Sequence, residues 1–154
     1  MLSRVLLSIL ILLGVGGVIS VATDPSKDCI GLYVDYSVLG EPTIDKCIPW
    51  RDEVKALDFL KNNGFKVEGT VKYGDAVVCR LNGLPAYKDE SCQEMPSEKA
   101  YWAILEKRKQ PIPNPFDLNG KYAWAQVGVN ELSLNPGDSL ALVFADNGNI
   151  KFPW

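Results

Sequence analysis

The sequence predicts a small α+β domain stapled by two disulfides, and three observations carry that prediction. Several short runs alternate apolar and polar residues with a period of two, the signature of half-buried strands. Residues 51–63 carry an apolar stripe at helical spacing. Four cysteines, an even number, all follow an apolar N-terminal run, as in exported domains that form disulfides.

That N-terminal run sets the domain organisation. Arg4 supplies a positive charge, residues 5–13 are apolar apart from Ser8, and Gly14, Gly16 and Gly17 lead to Ser20-Val21-Ala22. Small residues at Ser20 and Ala22 fit a signal-peptidase site with cleavage before Thr23. The apolar stretch 5–22 also reaches the short limit for spanning a bilayer, about eighteen residues. The alternative is therefore an uncleaved anchor whose Arg4 end stays in the cytoplasm. Both readings make residues 1–22 an export or anchor segment and residues 23–154 an extracytoplasmic domain, either secreted or held on the outer face of the plasma membrane. The next cysteine, Cys29, follows Ser26-Lys27-Asp28, which is not a lipid-attachment motif.

In the body, Ile30, Leu32, Val34, Tyr36 and Val38 share one face of a first strand over 30–39. Gly40-Glu41-Pro42 turns the chain into a second strand over 43–48. A helix over 51–63 follows, with Asp52 and Glu53 in its first turn to complement the dipole and Asn62-Asn63-Gly64 as its stop. Strands are expected at 65–73 and 76–81 around Gly74-Asp75, and Asn82-Gly83 is a tight-turn signal. Residues 84–96 read as irregular. Residues 97–109 fit either a helix capped by Ser97 or a buried strand. Pro111, Pro113 and Pro115 forbid regular structure. A strand at 122–132, a turn at Asn135-Pro136-Gly137-Asp138 and a last strand at 139–145, apolar on both faces, complete the chain.

Four cysteines allow three pairings. Cys29–Cys47 and Cys79–Cys92 each close a short loop around a turn, and each loop removes roughly 3 kcal/mol of freedom from the unfolded chain. There is no C-x-x-C pair and no histidine. A zinc site, a cysteine nucleophile with a histidine base and a histidine general base all lose their usual residues. With 47% hydrophobic and 23% charged residues the body matches a globular composition, which argues against disorder. The net charge of −3, with no basic stripe, argues against nucleic-acid binding. Asp75 and Asp138 read as turn residues. No calcium loop or phosphate-binding glycine loop is present, and neither a cofactor nor a metal is expected.

A resemblance adds to this reading. Cys29 precedes a Val/Tyr-rich strand ending Leu39-Gly40, and Cys47 follows it. A helix ends Asn63-Gly64-Phe65, followed by Gly69-Thr70 and Tyr73-Gly74. Val78-Cys79-Arg80-Leu81-Asn82-Gly83 leads to Cys92, Pro96 and Ala100-Tyr101-Trp102. Trp124 leads to Pro136-Gly137-Asp138 and a closing strand. In that order, these features resemble secreted actinobacterial proteins with a transcobalamin-like C-terminal domain. Two features differ from the family: Val143-Phe144 where members often carry Trp, and the proline-rich loop at 109–115.

The resemblance implies a β-grasp-like mixed sheet with one packed helix, and it assigns residues 101–106 to a strand. It also implies a non-catalytic binding module of the cell envelope, taking a small planar ligand of the cobalamin type through Tyr101, Trp102, Tyr122 and Trp124. Aromatic side chains offer broad flat area at low entropy cost; the competing place for Trp102 and Trp124 is the core. The alternative function is an accessory or structural subunit of an envelope protein complex, tethered to the membrane by an uncleaved N-terminal segment.

Overall fold

The computed structural model describes residues 28–109, 117–118, 122–151 and 153. The expected export or anchor segment 1–22 and the three alternating prolines lie outside these residues. The chain is mixed α+β. Its main sheet runs in the order β2-β1-β10-β6-β8-β7, built from β1 (Cys29–Asp35), β2 (Ile44–Pro49), β6 (Trp102–Lys107), β7 (Asp117–Leu118), β8 (Tyr122–Trp124) and β10 (Ser139–Phe144). β1 and β10 lie side by side and parallel, and the other pairs are antiparallel. Two smaller pairs flank it: β3 (Val54–Lys55) with β9 (Ser133–Leu134), and β4 (Val67–Thr70) with β5 (Gly74–Leu81).

The alternation in β1 and β10 explains the core. Ile30, Leu32 and Val34 face the same side as Leu140, Leu142 and Phe144, and helix α1 (Ala56–Asn62) seals that side with Ala56, Phe59 and Leu60. Phe59 and Leu60 are fully buried, each contributing about 1.5–3 kcal/mol. The opposite face of the sheet carries Leu105, Ala141 and Val143, covered by Tyr33, Tyr122, Trp124 and Ile150. β10 is therefore buried on both faces, as its sequence predicts. β1 and β10 approach closely because Gly31 has no side chain: a Cβ there would lie 2.5 Å from Ser139 Oγ.

Four element boundaries differ from the sequence expectation. The first strand ends at Asp35, and Ser37–Leu39 form a 3₁₀ turn fastened by Ser37 N–H donating to the Asp35 carboxylate at 2.8 Å. The helix begins at Ala56, not residue 51, because Val54 and Lys55 pair with Leu134 and Ser133. Its first amides donate to the Leu132 and Val129 carbonyls, a tertiary cap that leaves Asp52 and Glu53 outside the helix. The strands expected at 65–73 and 76–81 shorten to β4 and lengthen to β5, and Asp75 lies in β5 rather than in a turn. The strand expected at 122–132 stops at Trp124, since the 125–132 segment turns back through Gly128 to meet the helix.

Other readings coincide with the structure. Asn82 and Gly83 both adopt positive φ, 54° and 83°, in a two-residue turn closed by reciprocal Leu81 and Leu84 bonds. The Asn135 carbonyl accepts from Asp138 N–H at 2.9 Å, closing the expected turn. The strand assigned to 101–106 is β6. Both disulfides pair as expected, with Cα separations of 5.6 Å for Cys29–Cys47 and 5.7 Å for Cys79–Cys92. Two such bridges mark an oxidising, extracytoplasmic location. No helix among the described residues is long and apolar enough to cross a membrane.

Candidate functional site

β5 contains the device from which the candidate site is built. Glu68 opposes Arg80 and Gly69 opposes Val78, so Cys79 is the extra residue of a β-bulge. The bulge lets Val78 and Leu81 both enter the core while Cys79 reaches Cys92. Arg80 is 3% exposed. Its guanidinium pairs with Glu68 at 2.5 Å, donates to the Pro85 carbonyl at 3.1 Å and to the Glu90 carbonyl, and lies over the Tyr87 ring at 4.6 Å. Arg80 thus organises the irregular 82–92 segment from below. The bridge to Cys92 and the bonds Val71 N–H to Cys92 carbonyl and Lys72 N–H to Gln93 carbonyl then bring Met95 and Pro96 alongside β5.

The result is a cleft of about 310 Å³, with Val77, Val78, Met95, Pro96, Tyr101 and Trp102 among its lining residues and Ser97 and Glu98 completing it. That volume lies at the small end of the range for small-molecule sites, which are mostly apolar with a few placed polar groups. Trp102 is set firmly. It meets Tyr36 and Phe144 edge-on at 5.3 and 5.2 Å, and its indole N–H donates to the Leu84 carbonyl at 3.2 Å. The carbonyl of Tyr101 accepts from Ala145 N–H at 2.8 Å, anchoring the Tyr101 backbone to the end of the sheet. Ser97 Oγ accepts from Ala100 N–H at 3.1 Å, which shapes the turn beneath Glu98.

The four aromatic residues singled out by sequence do not converge. Trp102 belongs to the core on the helix side and, with Tyr101, lines the cleft. Tyr122 and Trp124 lie on the opposite face, where they and Tyr33 cover Leu105, Ala141 and Val143. Tyr122 has its phenol ionisation raised, chiefly by burial, with a hydrogen bond to Ser139 opposing the shift. Tyr33 is raised by burial and by the nearby charges of Asp35 and Asp45. Sequence reasoning missed Met95, Glu98 and Arg80. Arg80 left one signal, a lone charge inside the apolar run 76–81. Met95 and Glu98 left none, since the Cys79–Cys92 bridge and backbone bonds from Val71 and Lys72 bring their segment to β5.

The buried carboxylate Asp138 and its neighbours are engaged in structure. Asp138 is buried and accepts from Lys109 N–H at 2.8 Å and Asn135 N–H at 2.9 Å. Arg108 pairs with it at 3.2 Å and with Glu106 at 2.5 Å. Burial raises the Glu106 carboxyl above its ordinary range, with Arg108 opposing that shift. A larger trough, about 750 Å³, is bordered by Asp28, Trp50, Arg51, Asp52 and Glu53. It carries four ionisable side chains, and Trp50 meets Phe59 edge-on at 5.3 Å. Its charged side chains sit among Pro49, Trp50, Val54 and Pro136, whereas the smaller cleft has a single charged side chain, Glu98, and so better suits a flat apolar ring. Among the described residues, no three His, Cys, Asp or Glu side chains gather as a metal site. Comparison of the chain with protein-family models, curated proteins and solved structures finds no match.

Proposed function

We propose that this chain is an exported binding module of the cell envelope, non-catalytic, that takes a small planar ligand in the Tyr101–Trp102 cleft. The cleft itself carries the reading: an apolar socket on a rigid sheet end, with a fixed indole in its wall. Planar ligands gain most from such a surface because ring faces bury large area without losing rotamer freedom. The parallel β1–β10 pair at the sheet centre and one helix across one face favour a β-grasp-like fold of the transcobalamin type, and with it kinship to secreted actinobacterial proteins. Binding is favoured over catalysis because the chain has no histidine. Its buried Arg80, Asp35 and Asp138 are also all engaged with backbone groups.

The volume suits one flat ring system. A corrinoid would enter by an edge and rest the remainder of its macrocycle across the mouth. Absorbance titration with cyanocobalamin tests that ligand type. The expected result is a saturable spectral change at micromolar ligand that Tyr101→Ala removes; a flat titration sinks the cobalamin-type ligand.

A second reading, a membrane-tethered accessory subunit, draws on the exposed apolar side chains Val71, Tyr73 and Met95, residue types that protein interfaces use. Mass spectrometry of the native protein separates the two. Retention of residues 1–22 favours the tethered subunit, and a chain starting at Thr23 excludes it.

A further inference from the structure

Resting on the cleft proposed above, we infer that it selects planar organic cations over neutral or anionic rings of the same shape. Its lining includes one carboxylate, Glu98, and no lysine or arginine. Glu98 is exposed and forms no ion pair among the described residues, so its charge is available to a ligand. Lys72 pairs with Glu94 at 3.3 Å, Arg80 pairs with Glu68, and Lys99, although next in sequence to Glu98, does not line the cleft.

The other walls point the same way. Met95 is 58% exposed and offers a polarisable thioether, which favours aromatic edges. Tyr101 contributes a ring whose negative face attracts cations. The Trp102 indole N–H is already spent on the Leu84 carbonyl, which leaves only the neutral Ser97 and Tyr101 hydroxyls as side-chain donors in the lining. A cationic ring seated against Val78 and Trp102 places its charge toward Glu98 at the rim, where an exposed ion pair adds modest affinity. The net charge of −3 draws cations in at long range.

Acridine and proflavine test this on the intact extracytoplasmic domain, since at mildly alkaline pH the first is neutral and the second is a cation of nearly the same outline. Proflavine is expected to bind about fivefold more tightly than acridine in low salt, with the preference shrinking as salt is added. Glu98→Gln should bring the ratio of the two affinities close to one, with the melting temperature unchanged. Met95→Ala should weaken both ligands equally. Equal affinities in the native protein, or a preference that survives Glu98→Gln, overturn the charge selection alone. Failure of both dyes to bind overturns the cleft as a ligand site, and the charge selection with it.

Discussion

Around the Cys29–Cys47 bridge the protein is held by apolar packing. β1 and β10 are buried along nearly their whole length, and the helix seals one face. Around the Cys79–Cys92 bridge it is held by polar contacts. Arg80 binds two loop carbonyls and Glu68, and Asn82 Oδ1 accepts from Lys66 N–H at 2.9 Å. The bridges also differ in burial. Cys47 is exposed at the sheet edge, whereas Cys79 and Cys92 are 2% and 3% exposed. Loops that carry a binding cleft must leave part of their surface open, so they cannot be fixed by apolar burial alone. Here a buried guanidinium and a buried disulfide do that task.

Substitutions in the two regions should therefore behave differently. Leu142→Ala removes a fully buried side chain from the sheet centre and is expected to cost about 2–5 kcal/mol. Denaturant unfolding should show one cooperative shift seen equally by every probe. Cys79→Ser with Cys92→Ser should cost roughly 3 kcal/mol and abolish dye binding while far-ultraviolet circular dichroism stays close to native. Cys29→Ser with Cys47→Ser opens a loop of similar size, 18 residues apart against 13. It should lower the melting temperature comparably but leave binding intact. Loss of binding in both double variants would erase the distinction between the regions.

Arg80→Met is the sharper probe of the polar region. It strands the Pro85 and Glu90 carbonyls and frees the Tyr87 ring, at a cost of about 1–3 kcal/mol for each carbonyl left buried without a partner. Amide exchange should accelerate over residues 82–92 and stay slow in β1 and β10. Uniform acceleration would show that Arg80 supports the whole fold instead.

The helix-side core reports through pH. Burial pushes the Tyr36 phenol up from 10.0 to about 12, against an opposing hydrogen bond with Asn82. Between those values the folded state holds the proton that the unfolded state has lost. Its stabilising contribution is therefore full below pH 10 and fades as pH rises toward 12; Tyr33 and Tyr122 are raised by burial in the same direction. Alkaline unfolding should run across this window, with Tyr36→Phe softening its slope by on the order of 2 kcal/mol in total. An unchanged slope in that variant would exclude Tyr36 as the cause. The smallest effect belongs to the other face: Tyr122→Phe loses its bond to Ser139 and about 1 kcal/mol, measurable by chemical denaturation, with no change in dye binding.

Legibility followed the same division. The alternation of Ile30, Leu32 and Val34, and the two-sided apolar run of β10, are local patterns that packing confirmed. The Asn82-Gly83 turn and both cysteine pairings were local too. What failed was set by distant partners. Nothing within 51–55 says that Val54 and Lys55 will pair with residues 133–134 and delay the helix. At 122–132 the apolar residues Val129 and Leu132 were read as strand, but they belong to a turn that caps that same helix. At the candidate site Tyr101 and Trp102 stood out as aromatics. Their partners Met95 and Glu98 reach the cleft through a bridge, a buried arginine and backbone bonds from residues 71–72.

The most direct test of the ligand site is an amide and indole chemical-shift titration of the isotopically labelled domain with acridine. The account predicts saturable shifts confined to Val77, Val78, Met95, Ser97, Glu98, Tyr101 and the Trp102 indole N–H. Shifts centred on Tyr33, Tyr122 and Trp124, on the trough at Trp50 to Glu53, or nowhere at saturating dye, would contradict it.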